Sequence, residues 1–414
     1  MNEKSELKSS LKEYRVLLGL EETYTNDSII NCFKHRVNYK IYSYNKKDLE
    51  QQNDLMKNFD IYWLEYEDLD FESLIHRERK VLFNSYCIRK GLIRKAHIAY
   101  YIRKFLLKKP NSILSKCVPE TYVFELDYLD YLDEAMNDCF EVENDLKENE
   151  SRISRNEKTV KYILKSSLTN KGAEILIFDR RIQLEEYFIQ RVKNLNEDED
   201  DGTIDIREWV IQKYVSNPLL LENKRKFHLR VYVLAVGNLN VYVYENILAL
   251  FSLKEYDSDD FSAFDSHITN TCVQYDNSNK VFDETECVKE FWSLNFDCEN
   301  EEKNKFIKNK LFNDIKVSVA EIFKCLSCEK IVYQSLENAF ELYGFDFLID
   351  SDFNCLFLEA NAFPDFKQTG NNLNSLIRTL FYQTIAVAVD NYFGVANVCE
   401  PNALHLVFNA NNKT

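Results

Sequence analysis

Residues 344–361 contain two apolar runs, each with acidic residues, separated by a short polar turn. They read Gly344-Phe-Asp-Phe-Leu-Ile-Asp350, Ser351-Asp-Phe-Asn354 and Cys355-Leu-Phe-Leu-Glu-Ala-Asn361. Two such runs around a turn predict a β-hairpin. A loop over residues 351–354 pairs Asp346 with Glu359, Leu348 with Phe357 and Asp350 with Cys355. Because alternate side chains of a strand share a face, Asn361 lies on the same face as Glu359.

The facing carboxylates of Asp346 and Glu359 predict a bound cation. Like charges directly opposite each other destabilise a sheet, and the neighbouring residues here are aromatic or aliphatic. Two carboxylates and the amide oxygen of Asn361 are hard ligands that suit Mg²⁺, an ion that keeps some water and shares phosphate oxygens. The alternative is an exposed acidic pair on a solvated sheet edge, but the apolar surroundings favour the metal.

Four further motifs precede this hairpin, and each has an ordinary structural interpretation when taken alone. They are Ile163-Leu-Lys-Ser-Ser167 with Lys171-Gly172, Val210-Ile-Gln-Lys-Tyr214 with Asn217-Pro-Leu-Leu220, Lys226-Phe-His-Leu-Arg230, and His267-Ile-Thr-Asn270. The first fits a surface turn, the second a buried strand, the third an exposed strand face and the fourth a loop. In the third motif Lys226, His228 and Arg230 share one strand face, which suits a triphosphate or an acyl phosphate.

The order of these motifs, ending in the carboxylate hairpin, resembles the tubulin–tyrosine-ligase-like family of the ATP-grasp superfamily. Residues 363–370 resemble the fungal branch of that family, which includes P-body-associated members. The resemblance implies an α+β ATP-grasp fold with a small N-terminal α/β module. We expect residues 1–78 to form that module, residues 79–215 a central module, residues 216–395 a C-terminal module and residues 396–414 a tail.

The resemblance also implies a Mg²⁺-ATP site and a role for each motif. Asp346, Glu359 and Asn361 are expected to hold Mg²⁺, and Arg230 is the expected catalytic residue. The residues expected to bind ATP are Lys165, Lys171, Gln212, Lys213, Tyr214, Lys226, His228, Thr269 and Asn270. The implied reaction joins an amino acid to a protein carboxylate through an acyl phosphate, and its catalysis is mostly positioning and charge neutralisation.

Two departures from the family pattern bear on activity. His228 stands where the family usually has Asp, and residues 244–252 lack the arginine that the family's ligases carry there. Loss of one transition-state charge lowers a rate by about 10²–10³. A second hypothesis is therefore a catalytically weak or inactive nucleotide-binding scaffold, for example in mRNA-protein granules. A third is a ligase for other small amines and acids, because a fold does not fix its substrate.

Composition limits the partners and the location. The chain has 414 residues and a formal net charge of −16, which argues against direct binding of nucleic acid or anionic membranes. Residues 79–116, however, contain basic but no acidic residues. This segment suits an acidic protein tail such as that of tubulin, or it is a solvated helix face. The polar start, the 11 scattered cysteines and the interrupted apolar runs predict a cytoplasmic protein without signal peptide or membrane span.

The rest of the pattern predicts individual elements. Strands are expected at residues 160–164, 174–178 and 209–214, and a second hairpin at residues 226–244. Helices are expected at residues 80–109, 306–325 and 373–393. Residues 120–150 begin with a strand and continue without a clear period, and residues 196–202 form an acidic loop. Cys325 and Cys328 lack a second pair or a nearby His, so we interpret them as structural and not as zinc ligands.

Overall fold

The structure is a computed structural model that describes residues 12–44, 58–168, 174–195, 205–258, 264–269, 287–296, 300–364, 366, 373–396 and 402–411. Two expected ATP-binding residues, Lys171 and Asn270, and the expected acidic loop at residues 196–202 lie outside these ranges. In the described ranges the chain forms three β-sheets with helices packed on them.

The first sheet has four parallel strands in the order β2-β1-β3-β4. These strands are β1 (Tyr14–Gly19), β2 (Tyr39–Ser43), β3 (Ile61–Leu64) and β4 (Leu82–Phe83). Helix α1 (Thr23–Phe33) connects β1 to β2, and its first turn is capped by the Glu22 carboxylate, which accepts the Thr25 N–H at 2.6 Å. Helix α2 (Phe71–Ile75) precedes β4. Parallel strands joined by a crossover helix form the α/β structure expected for this part of the chain.

The second sheet has four antiparallel strands in the order β5-β8-β6-β7. They are β5 (Thr121–Glu125), β6 (Tyr162–Ser166), β7 (Ile175–Phe178) and β8 (Glu208–Lys213). The helices before and between these strands are α3 (Lys90–Ile93), α4 (Lys95–Lys108), α5 (Leu114–Cys117), α6 (Leu132–Asp138), α7 (Phe140–Ser154) and α8 (Arg181–Leu195). Leucine and aromatic residues of α6, α7 and α8 form one core with the inner face of this sheet.

The third sheet has eight antiparallel strands centred on β10. They are β9 (Leu220–Leu221), β10 (Arg225–Val236), β11 (Asn240–Tyr244), β12 (Leu248–Glu255), β13 (Val288–Glu290), β14 (Phe340–Ile349), β15 (Cys355–Ala362) and β16 (Leu404–Asn409). An isolated parallel bridge between Phe83 and Ala339 links this sheet to the first one.

The longest helix, α10 (Glu301–Ser327), forms because its sequence has both a cap and an apolar stripe. Asn300 accepts the Lys303 N–H at 2.8 Å, and Glu301 and Glu302 lie in the first turn, where negative charge is favourable. Residues on one face are buried against the third sheet, namely Ile307, Leu311, Ile315, Val319, Ile322 and Leu326. A short helix α9 (Phe264–His267) precedes it.

The end of the chain returns to the first sheet and then to the third. Helix α11 (Asn374–Thr384) continues through a π-helical stretch (Ile385–Asp390) into α12 (Asn391–Phe393). Asp390 lies fully buried in that stretch, accepts a hydrogen bond from Arg36 Nε at 3.0 Å and accepts another from the Tyr39 hydroxyl at 2.7 Å. This buried pair fixes the closing helix against the N-terminal residues.

The hairpin of β14 and β15 forms as predicted around Asp346 and Glu359, which are direct partners. Beyond this pair the predicted register is wrong, because a β-bulge shifts it by one residue. Leu348 pairs with Leu356 instead of Phe357, and Cys355 pairs with Ile349 instead of Asp350. Asp350 instead accepts hydrogen bonds from the turn, including the Asn354 N–H at 2.8 Å. A bulge adds one residue to one strand, and the alternation of side chains did not reveal it.

Three other expectations need correction. Residues 80–109 do not form one helix: β4 comes first, and the long helix begins only at Lys95. Residues 120–150 do contain regular structure after β5, namely α6 and most of α7, whose buried positions are separated by many acidic residues. Part of the expected tail forms β16, which pairs with β11. The partner of β16, strand β11, lies far away in the sequence.

Candidate functional site

A cavity of about 120 Å³ lies between the second and third sheets. Strands β6 and β8 form one wall, and β10, β14 and β15 form the other. The predicted site residues that line it are Lys165, Gln212, Lys213, Tyr214, Lys226, His228, Thr269, Asp346 and Glu359. Arg230 and Asn361 contact Asp346 directly. The structure therefore brings together every predicted site residue that it describes.

Asp346, Glu359 and Asn361 meet on one face of the β14–β15 hairpin. The Asn361 amide nitrogen lies 3.4 Å from Asp346 Oδ2 and 3.3 Å from Glu359 Oε1. This convergence was expected from the spacing of the two strands. Among the described residues, no three His, Cys, Asp or Glu side chains approach closely enough to hold a metal by themselves. Two carboxylates and one amide oxygen nevertheless fit Mg²⁺ that shares phosphate oxygens with a nucleotide.

Each carboxylate is paired with a cation of the protein. Arg230 Nε donates to Asp346 Oδ1 at 2.5 Å, and its Nη2 donates to Oδ2 at 3.2 Å. Lys95 Nζ lies 3.3 Å from Glu359 Oε2. Burial by itself would raise the pKa of Glu359, but the charges of Lys95 and Lys165 outweigh it and hold that pKa below its usual range. Glu359 is therefore an anion, and each of the two carboxylates lies against one cationic side chain.

Lys95 is a residue of the cavity that motif reasoning missed. It occupies the first turn of α4 and lines the cavity. The sequence did carry a signal for it, because Lys95 lies inside the acid-free basic segment of residues 79–116. What the sequence did not show is which of those basic residues faces the carboxylates.

Lys165 and Lys226 face the cavity from opposite walls. Lys165 Nζ donates to Gln212 Oε1 at 2.9 Å, and Lys226 Nζ donates to the Tyr214 hydroxyl at 3.0 Å. Removal from bulk water lowers the pKa of Lys165 to about 8 and that of Lys226 to about 7. Two lysines with weakened solvation, and with no carboxylate of the described residues within ion-pair distance, are well suited to receive an anionic ligand.

His228 lies between Lys226 and Arg230 on the same face of β10. Its Nδ1 lies 2.5 Å from Thr269 Oγ1, and its Nε2 lies 3.8 Å from Asp346 Oδ1. Within the described part of the chain Nε2 is buried without a hydrogen-bond partner. Burial lowers the pKa of His228, an effect that the nearby Asp346 opposes. The imidazole is therefore neutral at pH 7 and directs an unpaired nitrogen toward the carboxylates.

The segment that lacks the family's arginine is part of the core. It comprises the end of β11, a turn and the first half of β12, and Leu248, Ala249, Leu250 and Phe251 are buried there. The Tyr244 hydroxyl donates to the Leu376 carbonyl at 3.0 Å. No cationic side chain enters the cavity from this segment, so the described cations of the site come from α4, β6, β8 and β10.

The profile of the tubulin-tyrosine ligase family matches residues 82–394, which is most of the chain. The chain belongs to the tubulin-tyrosine ligase family. A probable tubulin–tyrosine ligase of Schizosaccharomyces pombe is 34% identical over 94% of this chain and 94% of its own length. The probable tubulin–tyrosine ligase PBY1 of Saccharomyces cerevisiae is 35% identical over 80% of this chain but only 45% of its own length.

A solved structure gives the fold of this tubulin-tyrosine ligase family member. The C-terminal domain of K. lactis Pby1, described as an ATP-grasp enzyme interacting with the mRNA decapping enzyme Dcp2, has a TM-score of 0.65 and 28% sequence identity to this chain. The match covers 93% of this chain and 96% of that domain. The chain therefore has an α+β ATP-grasp fold, and the predicted family and fold are confirmed.

Other members of the tubulin-tyrosine ligase family share a smaller part of the chain. Tubulin glycylase 3C of Tetrahymena thermophila is 28% identical over 44% of this chain and 17% of its own length.

In the described part of the chain, no helix combines the length and the apolar character needed to cross a bilayer.

Proposed function

We propose that this chain is an ATP-dependent ligase that joins an amino acid to a protein carboxylate. The observation that carries the proposal is the arrangement of the cavity, which Lys165, Lys226, Asp346 and Glu359 all line. Membership of the tubulin-tyrosine ligase family and the ATP-grasp fold support it.

In the proposed reaction the acceptor carboxylate oxygen attacks the γ-phosphorus of ATP, and the bond to the β-phosphate oxygen breaks to release ADP. The amine of the amino acid then attacks the acyl carbon, the bond to the phosphate oxygen breaks, and the amine loses a proton as the amide forms. Lys165 and Lys226 would hold the phosphates as point charges. Arg230, fixed by Asp346, would stabilise the charge that develops on the transferred phosphoryl group.

The same site would hold Mg²⁺ through Asp346, Glu359 and Asn361. The ion supplies charge neutralisation at the phosphates when it is bound. The pairing of Asp346 with Arg230 and of Glu359 with Lys95 orients both carboxylates. Gln212, Lys213 and Tyr214 line the cavity beside Ile163, Ile175 and Ile268, a partly apolar wall that suits the adenine ring.

We propose that the acceptor is an acidic protein tail, such as the tail of tubulin. Helix α4 continues the basic segment away from the cavity, and Arg103, Leu107 and Lys108 are exposed on it, as is Lys109 directly after it. Arg103 and Lys104 are paired with Glu141 and Glu329, at 3.5 and 2.7 Å respectively. An acidic acceptor would compete with these surface pairs, and the interaction would weaken as ionic strength rises.

The test measures nucleotide binding and turnover separately. Calorimetry of the wild-type chain with Mg²⁺-ATP tests the site, and ADP release with mass gain of an acidic acceptor peptide tests the ligase. Asp346→Asn is expected to abolish both, whereas Asp352→Asn, in the exposed turn of the same hairpin, is expected to change neither. Absence of any ATP binding by the wild-type chain would overturn the proposal.

A second candidate function is a nucleotide-binding scaffold with little or no ligase activity. It is favoured by the neutral His228 in place of the usual acid and by the arginine-free segment of β11 and β12. Because the related K. lactis domain is described as interacting with Dcp2, the scaffold partner would be a decapping enzyme of an mRNA-protein granule. Binding of ATP without turnover of any acceptor, together with binding of the decapping enzyme by both the wild type and Asp346→Asn, would support this function over the first.

A further inference from the structure

The start of α4 is electrostatically unfavourable by local rules. Its N-cap residue, Arg94, makes no side-chain cap hydrogen bond, and the first turn contains no acidic residue. Arg94 and Lys95 place positive charge at the positive end of the helix dipole, where anions are preferred. A local rule broken in this way is typical of a site where function outweighs local preference.

Ser167, which directly follows β6, supplies the cap that α4 lacks. The Ala96 N–H donates to Ser167 Oγ at 3.1 Å, and the Lys95 N–H donates to the Ser167 carbonyl at 3.4 Å. Ser167 is buried, and its own N–H donates to the Glu208 carbonyl at 3.0 Å. One serine therefore connects the first turn of α4 to two strands of the second sheet.

A second contact reinforces this connection. The Glu208 carboxylate lies 3.8 Å from His97 Nε2, in the same first turn of α4. Glu208 thus places negative charge near the helix start, where the helix itself provides none. Lys95 leaves this anchored turn toward the cavity and reaches Glu359 at 3.3 Å.

We propose that Ser167 is a positioning residue for Lys95. It caps α4 from another part of the chain and thereby sets where the Lys95 ammonium stands relative to Glu359 and the cavity. The consequence for catalysis rests on the proposed ligase function, but the positioning of Lys95 does not depend on bound nucleotide.

The experiment therefore follows Lys95 itself. Competitive acetylation of the folded protein, read by mass spectrometry, gives the reactivity of Lys95 relative to the exposed Lys108 on the same helix. Ser167→Ala is expected to raise this ratio about fivefold, the factor that corresponds to losing one helix cap. Ser167→Thr, which keeps the hydroxyl, is expected to retain the wild-type ratio, and Ser115→Ala, which removes an exposed serine elsewhere, serves as the control.

Kinetics separate positioning from general stability. If the ligase function holds, Ser167→Ala is expected to lower kcat about tenfold with a smaller change in the KM for ATP, because Lys95 faces Glu359 and not the adenine end. An unchanged labelling ratio in a folded Ser167→Ala variant overturns the proposal whether or not ATP binds. A raised ratio in a chain that binds no ATP supports the positioning role and overturns only the ligase function.

A measurement on the wild type covers the case in which Ser167→Ala does not fold. Hydrogen exchange of the Ala96 amide reports the same hydrogen bond without any substitution. We expect this amide to be protected as strongly as the amides of the interior of α4. Exchange at the rate of an open helix end would overturn the proposal.

Discussion

Two buried carboxylates on strand β14, Glu341 and Asp346, differ in their surroundings. Glu341 is paired with Arg89 at 2.5 Å and accepts hydrogen bonds from Ser85, Tyr343 and the Tyr86 N–H. Asp346 is paired with Arg230 and accepts a hydrogen bond from Asn361, but it faces a cavity, and beside it His228 Nε2 lies 3.8 Å away without a partner among the described residues.

The difference separates a structural charge from a functional one. A buried ion pair whose remaining polar atoms are all satisfied fixes how segments pack, and Arg89–Glu341 connects the residues after β4 to the third sheet. Charges that line a cavity beside a polar atom without a partner, such as His228 Nε2, are costly to the free protein and are retained where a ligand contacts them. Burial alone does not distinguish the two, because both carboxylates are almost fully buried.

The largest expected effect lies at the structural pair. Arg89→Ala leaves Glu341 buried and uncompensated, and we expect the free energy of unfolding to fall by about 3–5 kcal/mol. Urea denaturation measures this change. Arg103→Ala removes a surface pair with Glu141 and is expected to change the free energy of unfolding by less than about 1 kcal/mol. Similar effects of the two substitutions would contradict the structural role of Arg89.

At the cavity we expect a loss of ligand affinity and little change in stability. Glu359→Gln removes a proposed metal ligand and is expected to lower the affinity for Mg²⁺-ATP about 100-fold, the upper end of the range seen when a metal site loses a supporting group. The free energy of unfolding should change much less than in Arg89→Ala. Isothermal calorimetry and urea denaturation measure the two quantities. Glu337→Gln, at an exposed position, is the control. If Glu359→Gln lowered the stability of the protein without lowering its affinity for Mg²⁺-ATP, Glu359 would have a structural role like that of Glu341.

Lys226 provides a test that depends on pH. Burial lowers its pKa from 10.5 to about 7, so between these pH values the unfolded chain binds more protons at this residue than the folded chain. Stability should therefore rise with pH across this window. Lys226→Met removes this contribution and is expected to stabilise the free protein by roughly 4 kcal/mol near pH 7, with the gain disappearing toward pH 10.

The same substitution is expected to weaken nucleotide binding, because the protonated lysine is the form that would contact phosphate. Urea denaturation at several pH values and calorimetry at pH 7 measure the two effects. Lys224→Met, which changes an exposed lysine paired with Glu255, should alter neither. Destabilisation by Lys226→Met at pH 7 would show that the lysine is structural.

The smallest effect is expected at His228, which stands where the family usually has Asp. His228→Asp introduces the acid that the family usually carries and adds a third carboxylate near Asp346. We expect the affinity for Mg²⁺-ATP to rise by about tenfold, because cation affinity follows the charge of the ligand set. Calorimetry at a fixed Mg²⁺ concentration measures it, with His405→Gln, a surface residue paired with Glu245, as the control. A lower affinity would mean that the neutral imidazole itself contacts the nucleotide.

Much of the site could be predicted because its residues lie on strands. Side chains at spacing two share a face, so Lys226, His228 and Arg230 were expected together and lie together along β10. The pairing of Asp346 with Glu359 was predicted from a four-residue turn; the observed loop is one residue longer, and the bulge restores this pair. Lys95 could not be assigned in this way, because α4 and β15 are distant in the sequence and their contact arises only from packing.

By itself, the sequence determined the family, the α+β ATP-grasp fold and the strand faces that carry the site residues. These are local properties, set by alternation and by the order of motifs along the chain. Only the tertiary structure decided which side chains surround each buried carboxylate. Glu341 and Asp346 look alike in the sequence, since each is an acid in an apolar strand. The partners that distinguish them come from the segment after β4 for one and from β10 for the other, and packing of distant segments determines those distances.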